Sequence, residues 1–335
     1  MSNTYKYALN TIWLKSGIVL FFSNLNWNRV LVMVIVVWVT VVLAACSVVN
    51  RPEGWAGAVV LEEVIYAGTK DGELVALNKT NGEKLWHFEL LGDKTYQAIY
   101  GTPTLSGDIL YLSGYDGHFY VFDVSTSKNP MNWRDPVLLD SRKIGDPLSD
   151  DVTPIVTSPA VVDEDCSDTV DGDLPCQVLM VGTDDGNVYA LKVTLDSMGG
   201  AYIQEVNQFS TGGKIWSDPV IQDGIAYFGS LDHRLYAVEV ETSKLVWNQP
   251  FETKGGVVAS PTLHQGKILF GSFDGEFYAL DLVTGQELWR FSGADNWYWG
   301  TAKVAGGLIL APSLDGKLYA LDVNTGSLKW VVKTD

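Results

Sequence analysis

The chain has 335 residues, of which 47% are hydrophobic and 19% charged, and it contains 33 Gly and 12 Trp. This composition can fill a large core, which excludes a wholly disordered chain. Residues 1–45 hold three basic and no acidic side chains, which leaves 20 basic and 40 acidic side chains in the rest. A net charge near −20 there repels phosphate backbones, so we expect no nucleic-acid partner.

The N-terminal segment contains sixteen uncharged, mostly apolar residues, 30–45, preceded by Arg29 and followed by Cys46. This run is short for a membrane-spanning helix and typical of a signal-peptide core. The tetrapeptide LAAC, which ends at Cys46, resembles the bacterial lipobox, whose cysteine is acylated. We predict a signal segment over 1–45, a lipidated Cys46 and a tether over 46–54. The alternative is an uncleaved signal anchor, and either arrangement places the rest in the cell envelope, facing the periplasm or the outside.

Six related segments follow, each aligned on an aspartate in an Asp-Gly or Asp-His turn, as in LFGSFDGEFYALDL. The turn aspartates are Asp71, Asp116, Asp185, Asp232, Asp274 and Asp315. Fifteen residues after four of them stands a tryptophan, at Trp86, Trp247, Trp289 and Trp330. A repeat of about 42 residues indicates an array of identical supersecondary units that stack on one another.

Each unit reads as four short strands, with the aspartate turn between the second and third strands. Asp-Gly favours a two-residue type I′ hairpin, in which both central residues have positive φ. Four-stranded units of this length close radially, which predicts an all-β fold, a β-propeller over 55–335 with six blades. Seven or eight blades are the alternatives. We expect the four repeat tryptophans to wedge neighbouring blades.

The third unit carries an acidic insertion over about 161–176 that contains Cys166 and Cys176. We predict a disulfide between them in an oxidising compartment, against the alternative of two free thiols. Carboxylates at this density could hold calcium, although an acidic loop can equally be only solvated. The candidate calcium ligands are Asp163, Asp165, Asp168, Asp171 and Asp173.

One repeat position combines large aromatic residues with a location where we expect the channel. It lies three residues before the proline that opens most units, and it holds Trp55, Tyr100, Val156, Trp216, Val258 and Trp299. Trp55, Tyr100, Trp216 and Trp299 are therefore candidate partner-binding residues at one mouth of the channel. The alternative is that they pack between blades.

The repeat as a whole resembles the pyrroloquinoline-quinone-like (PQQ-like) propeller repeat, and it is similar to the outer membrane protein assembly factor B lipoprotein family. This resemblance implies a non-catalytic scaffold that binds protein or peptide partners at the membrane surface. The quinoprotein dehydrogenases that share the repeat use adjacent disulfide-bonded cysteines, a tryptophan floor and calcium. This sequence has no adjacent cysteine pair, so we expect neither catalysis nor a bound quinone.

Two other functions stay open at this stage, a quinoprotein-type oxidoreductase and a sensor or small-ligand-binding propeller. The histidines offer no support for catalysis, because His87, His118, His233 and His264 show no spacing of a metal site or a catalytic triad.

Overall fold

The computed structural model describes residues 56–145, 151–162 and 176–334, and all of them belong to one compact unit. The regular elements there are β-strands, with two short 3-10 helices at Lys94–Tyr96 and Pro130–Asn132. Within these ranges no helix combines the length and the apolar character needed to cross a bilayer.

The strands form six antiparallel sheets, one for each sequence repeat. Blade 1 comprises β1 (Ala58–Leu61), β2 (Val64–Gly68), β3 (Glu73–Asn78) and β4 (Lys84–Glu89). Blade 2 comprises β5 (Thr104–Ser106), β6 (Ile109–Ser113), β7 (His118–Asp123) and β8 (Val137–Lys143). Blade 3 comprises β9 (Ala160–Val162), β10 (Cys176–Gly182), β11 (Asn187–Leu195) and β12 (Ala201–Ser210).

Blade 4 comprises β13 (Val220–Gln222), β14 (Ile225–Ser230), β15 (Arg234–Glu239), β16 (Lys244–Leu245) and β17 (Phe251–Glu252). Blade 5 comprises β18 (Thr262–His264), β19 (Lys267–Gly271), β20 (Phe277–Asp281) and β21 (Glu287–Phe291). Blade 6 comprises β22 (Lys303–Ala305), β23 (Leu308–Ser313), β24 (Lys317–Asp322) and β25 (Leu328–Lys333). In blade 4 the outer strand is split, and both β16 and β17 pair with β15. The prediction of a propeller with six blades is confirmed.

The core lies between blades. Five clusters of buried apolar side chains each join two consecutive blades, from blades 1 and 2 to blades 5 and 6. The first strands of neighbouring blades contact one another, which places them around the central channel. This layout follows from strands such as β20, whose two faces serve different neighbours: Tyr278 packs toward blade 4 and Ala279 toward blade 6.

Three of the four repeat tryptophans are wedges between blades, as predicted. Trp247 is only 5% exposed and packs against Gly285 of blade 5, while Trp289 packs against Gly326 of blade 6. Trp86 joins the cluster between blades 1 and 2. The prediction is wrong for Trp330, which is 43% exposed on β25.

The hairpin turn between the second and third strands differs from the predicted type I′. In blade 5 the Gly275 N–H donates to Ser272 O at 3.2 Å, and among these turn residues only Gly275 has a positive φ, of 82°. Asp274 instead keeps an ordinary φ, and its Oδ1 accepts the Glu276 N–H at 2.9 Å. The loop is therefore a three-residue type, a tight turn followed by one left-handed residue.

In blades 2, 4, 5 and 6 the turn aspartate also ties the hairpin to the chain that arrives from the preceding blade. Asp274 Oδ2 accepts the Tyr278 hydroxyl at 2.8 Å and the Lys254 N–H at 3.0 Å. Equivalent bonds join Asp232 to Tyr236 and Asp315 to Tyr319. The turn aspartates of these four blades are thus structural, because they satisfy tyrosine hydroxyls and backbone N–H groups.

Candidate functional site

The channel is lined by backbone and side chains from all six blades and holds a cavity of about 250 Å³. Tyr100, Trp216 and Trp299 line it together with Val156 and Val258. The structure therefore brings the described members of the predicted register together at one place. Trp55, the sixth member, lies outside the described residues.

An aromatic surface continues from this lining onto the mouth of the channel. Trp216 and Trp299 have ring centroids 5.9 Å apart, and Phe273 stacks on Trp299 at 5.4 Å. Trp297 stacks on Phe273 at 4.5 Å and is 46% exposed. These four residues, from blades 4 to 6, form a cluster of stacked aromatic side chains that is open to a partner.

A second cluster of aromatic side chains lies at blade 2. Tyr100 and Tyr115 have ring centroids 5.0 Å apart, and Tyr96 lies 6.4 Å from Tyr115. Burial raises the pKa of Tyr115, and the nearby Asp184 carboxylate adds to this rise. Tyr115 is therefore a neutral phenol across the physiological pH range.

Tyr115 and Phe273 are mouth residues that the sequence analysis missed. Both stand one residue before a turn aspartate, a position that holds Lys70, Asp184, Leu231 and Leu314 in the other units. The variation of this position within an otherwise regular repeat was the sequence signal that could have indicated these two residues. Asp184 contributes there by accepting the Trp216 Nε1–H at 2.8 Å and pairing with Lys214.

Below the aromatic rings, hydrogen bonds connect the blades around the channel. The Gly57 N–H donates to Thr102 Oγ1 at 3.0 Å, and the Thr102 N–H donates to Ser158 Oγ at 2.9 Å. The Ser158 N–H donates to Asp218 Oδ1 at 2.7 Å, and the Asp218 N–H donates to Ser260 Oγ at 2.9 Å. We call these five residues the channel series. Each occupies the position before the opening proline or its equivalent, for which the sequence analysis predicted no function.

Asp218 is the ionisable member of the channel series. Desolvation raises the pKa of its carboxyl, while the Ser158 N–H and the serine hydroxyls act in the opposite direction. No lysine or arginine among the described residues forms an ion pair with it, and none lines the cavity. The channel thus combines aromatic walls with an acidic group compensated by neutral donors.

A larger cleft of about 780 Å³ lies at the periphery, where the outer strand of blade 4 is split. Trp247 and Pro250 line it, together with Gly285 of blade 5. Trp247 packs between blades, and none of the described partner-binding candidates, Tyr100, Trp216 and Trp299, lines this cleft. We therefore place the candidate site at the channel mouth despite its smaller volume.

The remaining predicted sites have different outcomes. Cys176 is disulfide-bonded, which agrees with an oxidising compartment, while Cys46 and Cys166 lie outside the described residues. The five candidate calcium ligands also lie outside them, so that site stays a prediction.

A potential metal cluster that the sequence analysis overlooked lies on blade 1. Glu73, His87 and Glu89 present ligand atoms within 4.8 Å of one another. Pairing of Glu73 with Glu89 across β3 and β4 creates this cluster, and Lys84 forms an ion pair with Glu73 at 3.6 Å. His87 is exposed, as expected for a surface histidine, and the cluster is exposed and partly neutralised by Lys84.

Fold and site together define a β-propeller of PQQ-like repeats with an aromatic channel mouth. The family model for "Outer membrane protein assembly factor BamB" matches residues 55–192 and 184–334. The chain therefore belongs to this family.

Solved structures and a curated enzyme supply further similarity. The BamB structure from Moraxella catarrhalis aligns with 84% of this chain and 77% of its own, at 20% identity and a TM-score of 0.58, which shows the shared fold. The computationally designed Ika8 protein aligns with 84% of this chain and 87% of its own, at 12% identity and a TM-score of 0.48, too low for a structural conclusion.

The curated relative is a quinoprotein ethanol dehydrogenase from Pseudomonas putida, 35% identical over 77 residues. The match spans 22% of this chain and 12% of that enzyme. Its cofactor class is a poor fit here, because PQQ is a tricarboxylate and the described channel presents Asp218 without a lysine or arginine. Like charges in a desolvated channel oppose binding.

Proposed function

We propose that this protein is a non-catalytic scaffold, anchored at the cell envelope through lipidated Cys46, that binds a protein or peptide partner during outer-membrane protein assembly. The observation that carries the proposal is the continuous aromatic surface at the channel mouth of a member of the assembly factor family. Aromatic side chains with one polar edge dominate binding energy at protein interfaces.

The geometry supports binding of an extended segment by a rigid surface. Trp297, Phe273, Trp299 and Trp216 form successive contacts from the rim into the channel. The strands of the propeller hold these rings in place before the partner arrives, which reduces the entropy lost on binding. A cavity of about 250 Å³ admits a side chain of the partner rather than a separate drug-sized ligand.

Site-specific photocrosslinking from the full-length, membrane-bound protein tests this function. A benzoylphenylalanine in place of Trp297 should give a defined adduct with an outer-membrane assembly protein. The same probe in place of Tyr202, which is 60% exposed on an outer strand, is the matched control and should not give that adduct. Trp216→Ala with Trp299→Ala should weaken the Trp297 adduct at least about tenfold.

Two further observations complete the test. Cys46→Ser should move the chain from the membrane fraction to the soluble fraction, because acyl chains provide the anchoring. Purified protein supplied with PQQ, calcium and an alcohol should not reduce a dye. Equal adducts from both probe positions would contradict the binding surface, and turnover of the dye would contradict the non-catalytic assignment.

A further inference from the structure

Asp218 carries an ionisable carboxyl that its structural task does not require. At the other described links of the channel series, the hydroxyls of Thr102, Ser158 and Ser260 accept the same kind of backbone N–H bond. Only the link from Ser158 ends on a carboxylate. Placing a carboxylate in a desolvated position costs free energy unless a cation compensates it.

No cation within the described residues performs this compensation. Lys214, on the same blade, pairs with Asp184 at the mouth instead. Asp218 Oδ1 already accepts the Ser158 N–H at 2.7 Å, and hydroxyl donors supply the rest. Neutral donors stabilise a carboxylate less than an ionised partner does.

The surroundings of Asp218 match the requirements of a cationic side chain. Tyr100, Trp216 and Trp299 line the same cavity, and the indoles of Trp216 and Trp299 lie at 48° to each other. Aromatic faces attract cations, and a guanidinium can stack on a ring while it hydrogen-bonds to a carboxylate. A cavity of about 250 Å³ is close to the lower limit for small-molecule sites, which favours a single side chain.

We propose that the channel receives a cationic side chain of the partner, arginine in preference to lysine, with Asp218 as its counter-ion and the aromatic rings as its walls. This inference rests on the proposed function, since it names the chemistry of the partner at the same site. It predicts that the partner presents an arginine on the segment that contacts Trp297 and Phe273.

Calorimetric titration of the full-length protein with two acetylated, amidated tripeptides, Gly-Arg-Gly and Gly-citrulline-Gly, tests the proposal. Citrulline preserves the shape of arginine and removes its charge, so the arginine peptide should bind at least about tenfold more tightly. Asp218→Asn should reduce arginine binding to the citrulline level. Asp223→Asn, at an exposed aspartate of the same blade with a φ of 51°, is the matched control and should leave binding unchanged.

Asp218→Asn is suited to this test, because its amide oxygen can still accept the Ser158 N–H and the ring of blades stays linked. Its melting temperature at neutral pH should equal or exceed that of the wild type, since a desolvated charge is removed. Equal affinity for both peptides, or undiminished arginine binding by Asp218→Asn, would overturn the proposal. If the Trp297 adduct persists in such a case, the scaffold function stands and only the cation pocket falls.

Discussion

Blades 5 and 6 have nearly the same repeat sequence, yet their outer strands end in different surroundings. Trp289 on β21 packs against Gly326 of blade 6, whereas Trp330 at the same repeat position on β25 is 43% exposed. Every residue of β25 is exposed. The repeat specifies the blade, but its tryptophan becomes a wedge only where the next blade packs against the indole, as Gly326 does against Trp289 and Phe122 does against Trp86.

The largest expected difference comes from truncating this tryptophan in two blades. Trp247→Ala should destabilise the fold by about 3–5 kcal/mol, because the side chain is buried and leaves a cavity. Trp330→Ala should cost about 1 kcal/mol or less, because its ring is already half in water. Chemical denaturation of both variants measures the two values. Similar losses would show that the face of blade 6 is packed as firmly as that of blade 4.

Two glycines in the turn between the third and fourth strands of a blade, Gly82 in blade 1 and Gly326 in blade 6, separate the packing of the tryptophan from backbone strain. Gly82 and Gly326 have φ values of 71° and 68°, so alanine imposes the same backbone strain at both. A Cβ on Gly326 would lie 2.3 Å from Trp289, and a Cβ on Gly82 would meet nothing within 4 Å. Gly82→Ala should cost about 1 kcal/mol and Gly326→Ala about 1–3 kcal/mol more.

Thermal unfolding of the two glycine variants is sufficient, provided that the curves stay cooperative. A difference near zero would mean that Trp289 moves away without loss. In that case the contact between Trp289 and Gly326 would contribute little to holding blades 5 and 6 together.

The smallest expected effect concerns pH. Lys329 and the N–H groups of Asn324 and Thr325 lower the pKa of Asp322, in the last turn of blade 6, to about 2. A lowered pKa stabilises the fold above the unfolded value near 4, and this contribution disappears as the pH falls toward 2. Asp322→Asn should therefore flatten the pH dependence of the melting temperature in this window.

Asp281 at the equivalent turn of blade 5 is the control, because its pKa is lowered mainly by the Thr284 N–H and hydroxyl and not by a lysine. Asp281→Asn should change the slope less, and the part of the slope that it removes should be less sensitive to salt. An unchanged slope in Asp322→Asn would show that the ion pair between Asp322 and Lys329 does not stabilise blade 6.

Most of the fold could be predicted from the sequence because the repeat is visible in single residues. Turn aspartates and tryptophans at constant spacing placed the strands and gave the blade number. The type I′ turn was wrong because Asp274 bonds the Glu276 N–H with its side chain, an interaction that dipeptide preference does not include. The split of the outer strand in blade 4 was also outside the reach of the pattern.

The site was only partly predictable. The shared repeat position was enough to predict that Tyr100, Trp216 and Trp299 lie together, since equivalent residues of a propeller lie at the same distance from the channel axis. Phe273 and Asp218 were missed because their roles depend on contacts between blades, at positions where other units have unlike residues. The Glu73, His87 and Glu89 cluster required the pairing register of β3 with β4, which the sequence analysis did not use.

The channel series has a consequence for how a protein of this kind can change size. Its donors are backbone N–H groups, present in every residue except proline, and each acceptor is one side-chain oxygen carried by the following repeat. A duplicated repeat would bring its own acceptor and find its donor already in place. Gene duplication or deletion of whole repeats could therefore alter the circumference without inventing a new contact at the centre.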